Sequence, residues 1–351
     1  MYYFPLDQSN AAPVLSFVIP VFNEEGSLRK LDQALRAELE DLGLSYEIVF
    51  VNDGSHDDTA AILDELSEND ERINVIHFRR NFGKAAGLDA GFQSARGRVV
   101  ITMDADLQDD PAEIRSMLEK LDEGYDLVSG WKTVRHDPLD KTLPSKVFNW
   151  VVSRVSGLKL HDFNCGFKAY RREALANIRL YGELHRFVPV LVHWNGFRVA
   201  EKTVQHHPRQ FGKSKFGAER FLKGLFDLMT VTLTTKFRGR PLHFFGYPAI
   251  AIGCLGAIGL VYLFTLSILG LDDLRPRPML YAAMVAILTS VQLLGIGLLG
   301  ELIKSFNRSE HTDYTIAPSR TVFAPAILDK TNTPASEPPL DNKDARRTFT
   351  R

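Results

Sequence analysis

Two uncharged apolar runs, Phe244–Leu271 and Met279–Leu299, meet no Asp, Glu, Lys or Arg before Asp272 and Glu301 respectively. Each exceeds the ~20 residues that an α-helix needs to cross a bilayer core. Joined by the short link LDDLRPRPM, they make a poor soluble hairpin, because helices apolar on every side need hydrocarbon around them. The chain is therefore read as a membrane protein with two spans. Lys236, Arg238 and Arg240 precede the first run, and Lys304 and Arg308 follow the second. The link balances Asp272 and Asp273 against Arg275 and Arg277. The positive-inside tendency then puts the region before the spans and the C-terminus in the cytoplasm, at the plasma (inner) membrane if the source is bacterial.

Before the spans the pattern changes. Short apolar runs at 15–20, 47–52, 73–78, 99–103 and 126–130 alternate with helical patterns at about 25–41, 57–69, 84–95 and 111–123. That βαβα spacing predicts an α/β domain with a mainly parallel sheet and helices on both faces. Ligands of such sheets gather at the carboxyl ends of the strands, where Asn23-Glu24, Asn52-Asp53 and Asp104–Asp106 fall. From Gly217 to Lys236, apolar Phe221, Leu222, Leu225, Phe226, Leu228 and Met229 stand beside Arg220, Lys223 and Lys236, which predicts a helix lying along the membrane surface. The expected organisation is an extension at 1–13, an α/β domain at 14–216, an interfacial helix region at 217–241, the two spans within 242–305 and a polar, disordered tail at 306–351.

Lys+Arg (42) and Asp+Glu (43) nearly cancel to a net charge of -1, so the balance carries no footprint of nucleic-acid binding. The start, MYYFPLDQSNAAP, lacks the basic and apolar regions of a cleaved signal peptide. The 2 cysteines, Cys165 and Cys254, suggest neither a disulfide framework nor a thiolate metal site, and fit a reducing compartment.

The stretch MDADLQDD at 103–110 places four carboxylates at the end of a buried strand. Their repulsion has to be met by a metal ion, by basic side chains or by water. Asp104 and Asp106, two apart, point to one side and suit a hard divalent cation such as Mg²⁺ or Mn²⁺, with the Gln108 amide oxygen just beyond. Asp109 and Asp110 precede Pro111 and a helix, where both are expected to cap the helix N-terminus. Ser55 likewise reads as a helix cap. His161, His206 and His207 are poor metal candidates beside so oxygen-rich a site. Neither G-x-G-x-x-G nor G-x-x-x-x-G-K-[ST] occurs, so any phosphates are held by other means.

In order, the segments PVFNEE (20–25), VNDGSHDDT (51–59), RRNFGKAAGLDAGFQSARG (79–97), MDADLQDDP (103–111), HDFNCGFKAYRR (161–172) and RQFGKSKF (209–216) precede the two apolar runs. Together they resemble the glycosyltransferase family 2 enzymes that act on polyprenyl phosphates, over about residues 14–305. The resemblance implies a GT-A (Rossmann-like) fold, a nucleoside-diphosphate sugar donor and a polyprenyl phosphate acceptor at the cytoplasmic face. UDP-glucose is the favoured donor and GDP-mannose the next. Carried over position by position, the family pattern puts Pro20, Phe22, Glu24 and Asp53 around the nucleoside, Asp104 and Ala105 near the ribose and metal, and Asp106 and Gln108 on the metal. Arg79, Asn81 and Gly83 resemble the loop that closes under the donor. Arg209 and Lys215, on a bendable basic loop, match the residues that reach the diphosphate. Asp162 matches an Asp beside the reacting centre, as base or as positioning group. The two cations that hold the lipid phosphate in the family, usually Arg, align with Lys132 and Lys141, with Arg135 nearby and Lys146 a further candidate; Lys lacks the bidentate fork of Arg. Membrane lipids are expected partners, and self-association, a flippase and a second glycosyltransferase acting on the product are compatible with the reading. Two rivals stand beside it. One is a processive polysaccharide synthase, although Q-x-x-R-W is absent; the other is a non-catalytic membrane scaffold on the same fold.

Overall fold

The computed structural model describes residues 12–133, 139–207, 219–237, 240–270 and 278–306. The five predicted strands all form, as Leu15–Val21 (β1), Tyr46–Asn52 (β2), Ile73–His77 (β3), Val99–Thr102 (β4) and Leu127–Lys132 (β5). Nearly every residue of β1, β2 and β4 is buried, as a strand covered by helices on both faces must be. Two strands that were not predicted, Lys168–Arg171 (β6) and Val199–Val204 (β7), complete a seven-stranded sheet of order β3-β2-β1-β4-β6-β5-β7. Neighbours run parallel except at β6, which is antiparallel to both β4 and β5. Wedged there, β6 sets Lys168 opposite Thr102 at the end of β4.

The helices are Leu28–Leu42 (α1), Thr59–Asn69 (α2), Lys84–Ser94 (α3), Ile114–Asp122 (α4), Leu139–Ser156 (α5), Arg172–Leu175 (α6), Val188–Trp194 (α7) and Glu219–Val231 (α8). Helix α1 buries Leu28, Leu31, Leu35, Leu39 and Leu42 at helical spacing. With α2 and α4 it covers one face of the sheet, and a first core forms there around Phe17, Ile19, Ile101 and Val128. On the other face α3, α5, α7 and α8 build a second core around Val18, Val100, Leu127 and Tyr170. Alternation along β5 assigns Val128 and Lys132 to the first side and Leu127 and Trp131 to the second.

Glu47, 1% exposed, ties three strands at the sheet's amino end. Its Oε1 accepts from Ser16 Oγ at 2.6 Å and from the Arg96 amide at 2.7 Å, and its Oε2 from Arg96 Nε at 2.8 Å. Glu47→Ala removes all three hydrogen bonds while the Arg96 guanidinium stays solvated. Chemical denaturation followed by tryptophan fluorescence is expected to show a loss of roughly 2–3 kcal/mol. A loss under ~0.5 kcal/mol contradicts this bonding.

The interfacial-helix expectation is corrected in part. Leu228 and Val231 of α8 pack into the second core, and Gly224 lies against Phe148 of α5. Among the described residues of α8, the apolar Phe226 and Met229 stand outward, 64% and 50% exposed. Helix α8 thus has one apolar side in the core and further apolar residues turned away from it. A wider helical turn, Thr232–Lys236, continues it. Two long helices, Pro241–Ile268 (α9) and Pro278–Phe306 (α10), then pack against each other. Gly256 rests on the Ala283 carbonyl, and Glu301 accepts a hydrogen bond from the Leu242 amide at 3.3 Å, a carboxylate at a helix N-terminus. Only 11% and 17% of their most apolar windows are buried inside the protein, so both helices keep a wide apolar surface uncovered by it, which points to membrane association.

Candidate active site

The carboxyl ends of β1, β2 and β4 carry three loops. The first two are stitched together. Asn23, in the left-handed region at φ 56°, receives a hydrogen bond from the His56 amide on its Oδ1 at 2.9 Å and donates its own amide to Ser55 Oγ at 3.0 Å. The Glu24 amide donates to Thr59 Oγ1 at 2.9 Å, and the Asp58 amide to Glu25 Oε2 at 3.0 Å. Ser55 thus clasps the Asn23 loop and does not cap a helix, contrary to expectation; α2 begins only at Thr59. Phe22, half-buried, meets the His56 ring edge-on.

Asp53 is buried, and its two oxygens accept from the Phe82 amide at 2.6 Å and the Gly83 amide at 2.9 Å. Asp53 therefore shapes the Asn81–Gly83 loop from below. The remaining lone pairs are what it has for a nucleoside. Gly54 makes this approach possible, because a Cβ there would sit 2.4 Å from the Arg80 carbonyl carbon.

At the end of β4 the four carboxylates take four different surroundings. Asp104 is ion-paired with Lys84, at the start of α3. Burial alone raises its pKa, but Lys84, Lys132 and Lys168 outweigh burial and hold the carboxyl well below the usual carboxylate range. Asp106, 5% exposed, accepts from the Gln108 amide at 3.2 Å across a turn in which Leu107 adopts φ 60°. Asp109 is buried and paired with the Lys132 ammonium at 2.9 Å; burial lowers the Lys132 pKa, and Asp109 more than reverses that. Asp110 accepts from the Ala112 amide at 3.0 Å. Only Asp110 is thus the expected cap. Asp109 is a buried counter-ion, and lysines answer half of the acidic cluster.

The Asp162 loop is locked to the same strand end. Thr102 Oγ1 donates to the Gly166 carbonyl at 2.7 Å, and a Cβ on Gly166 would meet the Asp104 carboxylate at 2.6 Å. The buried Lys168 ammonium donates to the Cys165 carbonyl, and burial, aided by Lys84, lowers its pKa. Burial pushes the Cys165 thiol up to about 12, so it is inert. Asp162 itself is 3% exposed and accepts from the Asn164 amide at 2.9 Å. Gln108 is fixed from the other side: its Nε2 donates to the His207 carbonyl at 3.4 Å, and its own carbonyl accepts from the His207 amide at 2.9 Å.

The structure thus brings Asp53, Asp104, Ala105, Asp106, Gln108, Lys132 and Asp162 to one sheet edge, with Pro20 at the end of β1 and Phe22 and Glu24 on the loop that follows it. Arg135, Arg209 and Lys215 lie outside the described residues, as do the side chains of Lys141 and Lys146. Lys84 and Lys168 were not anticipated, since single lysines carry no local spacing signal.

Among the described residues, no three His, Cys, Asp or Glu side chains converge on a metal position. A metal held wholly by protein does not fit. A hard divalent ion does: it takes one or two protein oxygens, here Asp106 and the Gln108 amide oxygen, and completes its shell with water and phosphate oxygens.

The site is thus a mainly parallel sheet with an acidic turn at the end of its central strand and no glycine-rich phosphate loop. The family model for glycosyl transferase family 2 matches residues 16–179. The chain is 38% identical over 295 residues to dodecaprenyl-phosphate galacturonate synthase of Rhizobium johnstonii, spanning 82% of this chain and 87% of that one. It is 36% identical over 292 residues to undecaprenyl-phosphate 4-deoxy-4-formamido-L-arabinose transferase of Pseudomonas fluorescens, spanning 82% and 84%. The chain belongs to glycosyltransferase family 2; it is a glycosyltransferase, and its sheet is of the GT-A kind. Among solved structures, glucosyl-3-phosphoglycerate synthase from Mycobacterium tuberculosis in complex with Mn²⁺ and UDP-glucose is similar at TM-score 0.48 and 17% identity, over 66% of this chain and 82% of that one.

Proposed function

We propose that this protein transfers one sugar from a nucleoside-diphosphate sugar to polyprenyl phosphate at the cytoplasmic membrane face, with inversion at the anomeric carbon. The observation that carries this reading is continuity. Asp104, paired with Lys84 of α3, and the Asp162 loop, whose Leu160 and Phe163 enter the second core, adjoin the sheet side of α5 and α8; the outer surfaces of these helices expose Trp150 (68%) and Phe226, and α8 with the wide turn after it precedes the first span. Lys236 fastens this junction, donating to the Val155 carbonyl at 3.2 Å. A lipid head group held at membrane depth then meets a donor held at the strand ends. The matches with these relatives cover 82% of this chain, more than the α/β domain alone spans.

An acceptor phosphate oxygen attacks the anomeric carbon as the bond to the nucleoside diphosphate breaks and its electron pair leaves with the diphosphate. A phosphate monoester, with a second pKa near ~6, is largely ionised at neutral pH, so no proton has to be removed. Asp162 accordingly positions acceptor and sugar. Asp106 and Gln108 would hold Mg²⁺ or Mn²⁺, which when bound would supply the positive charge that the leaving diphosphate requires. Arg209 and Lys215, which match the family's diphosphate-reaching residues, would add to that charge. Nucleoside contacts fall to Phe22, Glu24 and Asp53. The sequence reading favours UDP-glucose; the acidic and formamido sugars in the relatives' names put UDP-galacturonate and UDP-linked 4-deoxy-4-formamido-L-arabinose ahead of it.

Purified protein given these radiolabelled donors, GDP-mannose, polyprenyl phosphate and Mg²⁺ or Mn²⁺ is expected to yield one lipid carrying a single labelled sugar. Label in a growing polymer supports the processive synthase instead. Folded protein that labels nothing from any donor contradicts the proposal.

A further inference from the structure

Lys132, expected at the acceptor phosphate, lies on the first sheet side with its ammonium on Asp109. Another cation-capable group stands on the second side, where α5 and α8 face the membrane. His161 stacks on Trp131, with ring centroids 4.1 Å apart and planes 13° from parallel. Glu201 of β7 holds it twice: Oε2 accepts from the His161 amide at 2.7 Å, and Oε1 lies 2.7 Å from the ring Nδ1. Asn149 of α5 donates to the His161 carbonyl at 2.7 Å. A side chain gripped this firmly would ordinarily be buried. Here 66% of it is exposed, against 17% for Glu201, and among the described residues nothing bonds to Nε2. A carboxylate on Nδ1 keeps a proton there and orients the ring, so that Nε2 is the atom on display.

We propose that His161 contacts the phosphate of the polyprenyl acceptor through Nε2, with Glu201 and Trp131 as positioning residues. The argument rests on the transferase reading above and deepens it at one subsite. Three placements support it. His161 immediately precedes Asp162, the residue proposed to position acceptor and sugar. Its ring stacks on Trp131, on the sheet side that carries the outward apolar residues of α5 and α8. Lys132, next to Trp131 along β5, has its ammonium committed to Asp109. An imidazole held in one plane by Glu201 and Trp131 presents Nε2 for a hydrogen bond with the acceptor phosphate.

The test uses the full chain in lipid nanodiscs, titrated by calorimetry with farnesyl phosphate, with farnesol and, separately, with UDP. His161→Ala is expected to weaken farnesyl phosphate binding about tenfold or more while leaving UDP and farnesol binding within about twofold, as loss of a charge-assisted bond requires. His161→Gln, whose amide nitrogen also donates, recovers part of the loss. Glu201→Gln weakens farnesyl phosphate a few-fold in the same direction. In steady state the same variants raise KM for the lipid and spare KM for the donor. Unchanged farnesyl phosphate affinity in His161→Ala overturns the inference and leaves the transferase reading standing. A parallel fall for UDP, marking a structural role, or for farnesol, marking an apolar contact, overturns it too. Failure of the unaltered protein to bind farnesyl phosphate, with or without UDP, strikes the transferase reading itself.

Discussion

Asp106→Ala is expected to lower sugar transfer roughly a thousandfold, the scale on which removing one preorganised charge-stabilising element acts. The reason lies in how the four carboxylates divide. Lys84 neutralises Asp104, Lys132 neutralises Asp109, and Asp110 caps a turn. Asp106, buried at the strand end, is the carboxylate to which the left-handed turn at Leu107 brings Gln108 back. Its loss is expected to abolish the enhancement of UDP affinity by Mn²⁺, while UDP alone still binds through the β1 and β2 loops. Asp110→Ala provides the contrast: it loses a cap and a 3.1 Å contact with His207, about 1 kcal/mol of stability, and lowers turnover far less than Asp106→Ala. Metal-dependent turnover that survives in Asp106→Ala shows the ligand assignment to be wrong.

Gly54→Ala is expected to be the most damaging small substitution outside the sheet. Gly54 and Gly43 have nearly the same backbone, φ 69° and 66°, so alanine pays the same left-handed penalty of about 1 kcal/mol at each. Their surroundings differ. Nothing lies within 4 Å of a Cβ on Gly43, whereas on Gly54 it would stand 2.4 Å from one backbone atom of Arg80 and 2.7 Å from the Asn81 nitrogen. Backbone cannot swing aside as a side-chain tip can, so the loop at residues 80–83 has to move, and the Asp53 clasp on the Phe82 and Gly83 amides moves with it. The expected cost is about 3 kcal/mol or more, with UDP affinity falling in step. Gly43→Ala should lose only about 1 kcal/mol and bind UDP normally. Equal effects in denaturation and calorimetry contradict the account.

What the sequence carried, and what it could not, follows from range. Alternating apolar runs and helical spacing are local, and the five strands and four helices they predict form within a few residues of their expected ends. Strand β6 is four residues long, and its antiparallel place between β4 and β5 depends on partners far along the chain, so the segment KAYR gave no sign of it. The same holds in the site. D-x-D at a strand end is legible because both carboxylates lie in one stretch. The lysines opposite them are not, because Lys84 and Lys132 reach Asp104 and Asp109 only through the fold. Asp109 and Asp110 look alike beside Pro111, and only a buried lysine from β5 tells counter-ion from cap. His161 reads as a weak metal candidate until Glu201, 40 residues away, is seen to hold it. Helix α8 shows the converse: its apolar residues were legible, and their division between core and outer surface was not.

The most direct measurement is a crystal or cryo-EM structure of the protein with Mn²⁺ and UDP, using anomalous scattering or density to place the metal. The account predicts one Mn²⁺ within about 2.2 Å of an Asp106 oxygen and of the diphosphate, with the uracil beside Phe22 and Asp53. Manganese and nucleotide bound elsewhere, with the turn at 104–108 making no contact with either, would contradict it.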